Sequence, residues 1–178
     1  MEFNELIEAR RSVRRFVAST IAETELAAIV SDALNAPSWK NTEVTRYYAA
    51  CEDGLKARIW RETLPDFNVM STAHAAALVA VTYRKGESGY MGEVPANELG
   101  ETWGAYDAGL ASAYFILAAR NRGWDSLILG IRDAAALRRV FNIPEDEIVV
   151  SVIALGKSER PPLKPARKSV EAVLKMGR

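Results

Sequence analysis

Ile148-Val149-Val150-Ser151-Val152-Ile153-Ala154-Leu155 is the strongest strand candidate in the chain. Its companion, Ala75-Ala76-Ala77-Leu78-Val79-Ala80-Val81-Thr82-Tyr83, shows no polar alternation, as expected of a central strand covered on both faces. Working outward, Thr45-Arg46-Tyr47-Tyr48-Ala49-Ala50 and Ser126-Leu127-Ile128-Leu129-Gly130-Ile131 supply two more strands. Helical patterns fall between them. Phe3, Leu6 and Ile7 mark one face of a short first helix. Leu26, Ile29, Val30, Ala33 and Leu34 follow Thr20 and Glu23, which have capping-box spacing, and Pro37 stops that helix near Asn35. A short helix is expected around Leu55–Trp60, a largely buried one over Glu101–Arg122 with Gly123 as its stop, and another capped by Asp133. Residues 84–100 read as an exposed excursion. Prolines keep Arg160–Lys168 out of regular helix, so an extended arm is expected from about 157.

With 178 residues, 49% of them hydrophobic, the chain is expected to form a single domain over 1–178. Lys plus Arg and Asp plus Glu both number 23, which removes the global positive field of a nucleic-acid or membrane-surface binder. One cysteine, Cys51, and one histidine, His74, exclude an internal disulfide and any Cys/His zinc cluster within one chain. The N-terminus lacks a basic and apolar leader pattern, and no apolar run is long enough to cross a bilayer. The expectation is a cytoplasmic protein without a metal, membrane or nucleic-acid partner.

No Gly-x-Gly-x-x-Gly turn or Walker loop is present, so neither a Rossmann site nor a P-loop has local support. There is no Gly-x-Ser-x-Gly elbow either, and His74 reads as a packed or capping residue rather than a catalytic one. The conspicuous cluster is Arg10-Arg11-Ser12-Val13-Arg14-Arg15-Phe16. It fits a solvated helix C-terminus whose cations complement the dipole. It equally fits a phosphate cradle, in which guanidinium forks and a hydroxyl donate several charge-assisted hydrogen bonds. Taken alone, the cluster leaves both open.

Several motifs in order carry more. The arginine cluster, Ala36-Pro37-Ser38-Trp39-Lys40-Asn41-Thr42-Glu43, Asp107-Ala108-Gly109, Gly123-Trp124-Asp125-Ser126-Leu127-Ile128-Leu129-Gly130, Ile143-Pro144, a strand ending at Gly156 and a late Arg167-Lys168 together resemble the FMN-dependent nitroreductase family over nearly the whole chain. The resemblance implies a three-layer α/β/α member of the α+β class, with a mostly antiparallel sheet flanked by helices. It further implies a homodimer holding FMN at its interface. Arg10, Arg11, Ser12, Arg14 and Arg167 would grip one flavin, with Lys164 or Lys168 assisting the phosphate and Asn68 near the ring edge. Pro37, Ser38, Trp39 and Asn41 would reach it from the partner, and the Gly130 backbone N–H, beside Leu129, would lie at N5.

The residue types suit that chemistry. A fixed cation such as Arg14 near N1 and O2 would favour the reduced flavin and raise its potential. Glycine at 130 would permit close backbone approach. No side chain is needed as a catalytic nucleophile. NAD(P)H and a nitroaromatic, quinone or similar planar acceptor would alternate on one flavin face with ping-pong kinetics. Glu43 stands where many family members have Gln, and Leu129 where some carry an acid. The alternatives are a specialised flavin enzyme of the same family and a non-catalytic flavin-binding module.

Overall fold

The computed structural model describes residues 1–160 and 162–177; Pro161 of the expected arm, and Arg178, lie outside them. In chain order the elements are α1 (Phe3–Ala9), α2 (Glu23–Ala33), β1 (Thr45–Ala50), α3 (Asp53–Thr63), α4 (Asp66–Thr72) and β2 (Ala77–Arg84). There follow β3 (Tyr90–Met91), β4 (Val94–Pro95), α5 (Thr102–Asn121), β5 (Asp125–Leu129), α6 (Ala134–Phe141), β6 (Glu147–Gly156) and α7 (Val170–Val173). The main sheet runs β1-β2-β6-β5 with all three ladders antiparallel, and β3 pairs with β4 as a separate hairpin.

Side chains alternate across a strand, so a strand buried on both faces reads as a nearly continuous apolar run, with Thr82 in β2 and Ser151 in β6 as buried polar exceptions. Along β2, Leu78 and Ala80 join Val152 and Ala154 of β6 in one core, with Ile59 of α3 and Leu137 and Val140 of α6. Ala77, Val79 and Val81 join Ile153 and Leu155 in the other, against Leu26 and Ile29 of α2 and Ala108, Phe115 and Ala119 of α5. The result is the expected three-layer α/β/α arrangement. Gly123 stops α5 as anticipated: at φ 76° it lets Trp124 N–H reach Ala119 O at 2.9 Å while its own N–H reaches Arg120 O at 2.9 Å. Asp133 caps α6 by accepting from Ala136 N–H at 2.9 Å.

Several expectations are corrected. Thr20 caps nothing: α2 starts after Ala22, and the acids Glu23 and Glu25 complement its dipole. β5 stops at Leu129 rather than Ile131, because Asp133 N–H bonds Thr63 O at 2.7 Å and draws the chain off the sheet toward α6. α4 was not legible, since it buries only Asn68 and Thr72 and leaves Phe67 and Met70 exposed. α5 is buried on one side only, with Tyr106 and Tyr114 exposed on the other. The 84–100 excursion is exposed over 91–99, but its base is anchored, with Ser88 buried. His74 is an exposed residue in the turn after α4 rather than a packed one.

Candidate functional site

Beyond α1 the chain is extended, and it docks on the outer edge of β5. Ser12 forms a parallel bridge to Ser126, Val13 N–H donates to Ser126 O at 3.0 Å, and Val17 bridges Lys157. Val13 and Phe16 are buried. Phe16 lies so close to Gly156 that a Cβ there would stand 2.6 Å from its ring. These two anchors fix the arm and leave Arg14 and Arg15 at the surface.

The late arm returns to the early cluster, tied there by the Lys164–Glu8 ion pair. Burial first, and then the neighbouring Arg167 and Arg11, hold the Arg10 guanidinium below the usual arginine range. Arg11 and Arg167 also act on Glu8, whose carboxyl is held below the usual range chiefly by a hydrogen bond from Lys164. Arg11 itself is turned inward: Nη1 donates to Arg10 O at 2.8 Å, and its Nε is buried without a partner. Lys168 is exposed and makes no hydrogen bond or ion pair to the described residues.

Next to this cluster, Arg14, Phe67, Asn68, Ser71, Leu129 and Gly130 line an open cleft of about 370 Å³. Asn68 Nδ2 donates to Ile131 O at 2.8 Å, which ties α4 to the end of β5. Leu129 is buried and forms the floor. A Cβ on Gly130 would meet no atom within 4 Å. Nothing in the chain's own packing therefore requires glycine there. Ser12 and Arg14 also border a smaller notch of about 210 Å³ with Arg15 and Arg160, a participant that composition and motif order did not single out.

The segment 37–43 is built differently. Lys40, Asn41 and Glu43 take positive φ values of 45°, 56° and 48°. Such left-handed backbone costs about 1–3 kcal/mol per non-glycine residue, least for Asn, and persists only where the surroundings impose it. Here the constraints are explicit. Ser38 Oγ accepts from Glu43 N–H at 3.0 Å, Asn41 Nδ2 donates to Glu43 Oε1 at 2.9 Å, and Trp39 N–H donates to Asp107 Oδ2 at 3.0 Å. The Trp39 ring lies 5.0 Å from Trp103, which sits 5.4 Å from Tyr106. Trp39 Nε1 is buried without a partner, and Pro37 is exposed.

Within one chain these two groups are not brought together. The 37–43 segment leads into β1 and Gly130 follows β5; these are opposite edges of the sheet, with β2 and β6 between them. Three interstrand spacings put those edges about 14 Å apart. Sequence reasoning placed Asp107 in a motif but missed its contact with Trp39, because no spacing rule reveals a carboxylate that caps a turn 68 positions away.

An FMN molecule needs a cationic grip for its phosphate, an apolar bed for its ring and backbone access at the ring edge. The residues present meet all three. Arg10, Arg11 and Arg167 would supply the grip, Leu129 the floor and Gly130 the open approach, and Arg11 Nε and Trp39 Nε1 are buried donors without a partner among the described residues.

The matching family model, described as Nitroreductase family, covers residues 7–157. The chain belongs to the nitroreductase family and is accordingly an oxidoreductase. Among its relatives, the Bacillus subtilis protein named "Putative NAD(P)H nitroreductase MhqN" is 22% identical over 92% of both chains. Another from Bacillus subtilis, "Putative NAD(P)H nitroreductase YodC", is 26% identical over 88% of this chain and 90% of its own. The fold is shared with a solved structure from Exiguobacterium sibiricum, named as a "putative nitroreductase in complex with FMN". The two superpose with a TM-score of 0.87 at 22% identity, over 99% of this chain and 98% of that one. No helix among the described residues is long and apolar enough to cross a membrane.

Proposed function

We propose that this protein is an FMN-dependent oxidoreductase in which NAD(P)H reduces a planar acceptor such as a nitroaromatic or quinone, and that it works as a homodimer. The observation that carries this reading is the return of the C-terminal arm to α1, where Lys164 pairs with Glu8 and Arg167 is near enough to act on Arg10 and Glu8, beside an N-terminal arm fixed to the sheet by Ser12, Val13 and Phe16. When bound, FMN supplies hydride acceptance and donation, which no side chain here provides. The chain's residues do the rest. Arg10, Arg11 and Arg167 hold the phosphate, with Lys164 and Lys168 able to reach it from the arm. Ser12 offers a hydroxyl along the sugar chain. Arg14 places fixed positive charge at the pyrimidine edge, which favours the more negative redox state by electrostatics. Gly130 and Leu129 present backbone and an apolar floor to the ring.

The second subunit follows from the separation of the two edges. Pro37, Ser38, Trp39 and Asn41 reach the same flavin only from a partner copy. That copy has a place to dock: a cavity of about 720 Å³ between α1 and α5, lined by Phe3, Leu6, Tyr114 and Leu117. α1 buries none of its residues within one chain, and an uncovered apolar face of this kind marks an interaction surface.

The test is spectroscopic. The purified protein should be yellow and should bleach when NAD(P)H is added without oxygen, then recover its colour on adding a quinone or nitroaromatic. Steady-state rates with both substrates varied should give parallel double-reciprocal lines. A colourless protein that takes up no FMN sinks the proposal, and a bound flavin that NAD(P)H cannot reduce leaves only the binding module.

A further inference from the structure

We infer that Asp107 is the positioning residue that sets the Trp39–Glu43 turn, and that it ties this turn to the base of the 84–100 excursion. The inference rests on the reading of that turn as the half of the flavin site contributed to the partner. Asp107 lies on α5 and is buried to 3% exposure. A carboxylate at such depth needs partners. Its Oδ2 accepts from both Trp39 N–H, at 3.0 Å, and Ser88 Oγ, at 2.7 Å.

The first bond does a specific job. Trp39 opens a short 3-10 turn whose preceding residue, Ser38, makes no side-chain cap to it, because the Ser38 hydroxyl is engaged with Glu43 N–H. An uncapped turn leaves its leading N–H without a partner. Asp107 fills that role from a distant helix, immediately before the three left-handed residues Lys40, Asn41 and Glu43. The strained backbone that sets the direction of Trp39 and Asn41 is thus referenced to α5 rather than to solvent.

The second bond brings in the excursion. Ser88 is buried and held on the same oxygen, while Glu101, also on the lead into α5, accepts from Gly86 N–H at 3.0 Å. The excursion base and the turn therefore share one carboxyl oxygen as their common support. Both bonds converge on one oxygen, so the asparagine side chain, with one carbonyl oxygen, can reproduce them. Alanine can reproduce neither.

The experiment compares Asp107→Ala, Asp107→Asn and Ser88→Ala in the full-length protein, by hydrogen exchange without flavin and by FMN titration. Losing a hydrogen bond to a charged group changes an equilibrium by about tenfold to a hundredfold. In Asp107→Ala the amides of residues 39–43 should exchange about tenfold faster or more, while β2 and β6 stay protected. FMN affinity should fall about tenfold or more. Asp107→Asn should restore both to within about threefold, which a loss of general stability would not do. Ser88→Ala should speed exchange at 86–90 with a smaller effect on 39–43. If Asp107→Ala does not fold, Asp107→Ser removes the reach to Trp39 and takes the same readouts. Unchanged exchange over 39–43 overturns the inference, as does an Asn variant as impaired as Ala. A loosened turn with unaltered FMN affinity also overturns it. Failure of the wild-type protein to bind FMN would instead count against the functional reading, because the exchange pattern is measured without flavin.

Discussion

The two edges of the sheet are prepared for ligand in opposite ways. At the β5 edge, ordinary extended backbone is clamped by Val13 and Phe16, Arg11 Nε is left without a partner, Arg10 stands in the field of Arg11 and Arg167, and Gly130 opens on empty space. At the β1 edge the backbone itself is strained, and its polar groups are consumed by one another, Ser38 with Glu43, Asn41 with Glu43, Trp39 with Asp107. The first edge stores unsatisfied charge and the second stores shape. On the proposed function, a site assembled from both would draw its affinity from one and its geometry from the other, so damage at each should be distinguishable by measurement.

The largest effect is expected where charge is removed. Arg10→Ala and Arg167→Ala should each weaken FMN retention by about tenfold to a hundredfold, read by flavin fluorescence titration, since each removes a charge-assisted contact of about 1.5–3 kcal/mol. Gly130→Val sharpens the contrast. The free protein has room for the added atoms, so its melting temperature should not change, yet FMN affinity should drop about tenfold by steric exclusion. Arg14→Ala should leave FMN bound but make it harder to reduce, with a midpoint lower by about 30 mV per 1.4 kcal/mol of lost electrostatic preference. Gly156→Ala presses on Phe16 and should cost about 1–3 kcal/mol of stability in a denaturant melt, loosening the arm without touching the 37–43 turn.

The β1 edge responds to pH. Burial pushes the Tyr47 phenol up to about 12, and burial followed by the hydrogen bond to Glu147 does the same for Tyr48. Both are raised from an ordinary value of 10.0, so their contribution is complete below pH 10 and is lost as pH rises toward 12. Alkaline unfolding followed by circular dichroism should show this fall, and Tyr47→Phe or Tyr48→Phe should flatten it.

Legibility in the sequence followed the same division. β2 and β6 were readable because burial on both faces writes a nearly continuous apolar run, broken only by Thr82 and Ser151 within their cores, and α6 because Asp133 caps it locally. The arginine arm was readable as a cluster, although its own residues could not distinguish a solvated helix end from a phosphate grip; motif order favoured the grip. What stayed hidden depends on contacts between distant positions. α4 buries its polar residues Asn68 and Thr72 and exposes its apolar pair Phe67 and Met70, α5 leaves Tyr106 and Tyr114 exposed although its pattern is apolar all round, and Ser88 looks like any loop serine until Asp107 is placed beside it. Left-handed backbone at Lys40 and Glu43 leaves no sequence mark at all, because neither is a residue that favours it.

The parallel bridge between Ser12 and Ser126 has a consequence outside ligand binding. A bare strand margin is a template on which foreign strands can grow into ribbons. The arm bonds to that margin of β5 at Ser126, so a lesion that peels the arm away should make the protein precipitate and, on the proposed function, lose its colour as well.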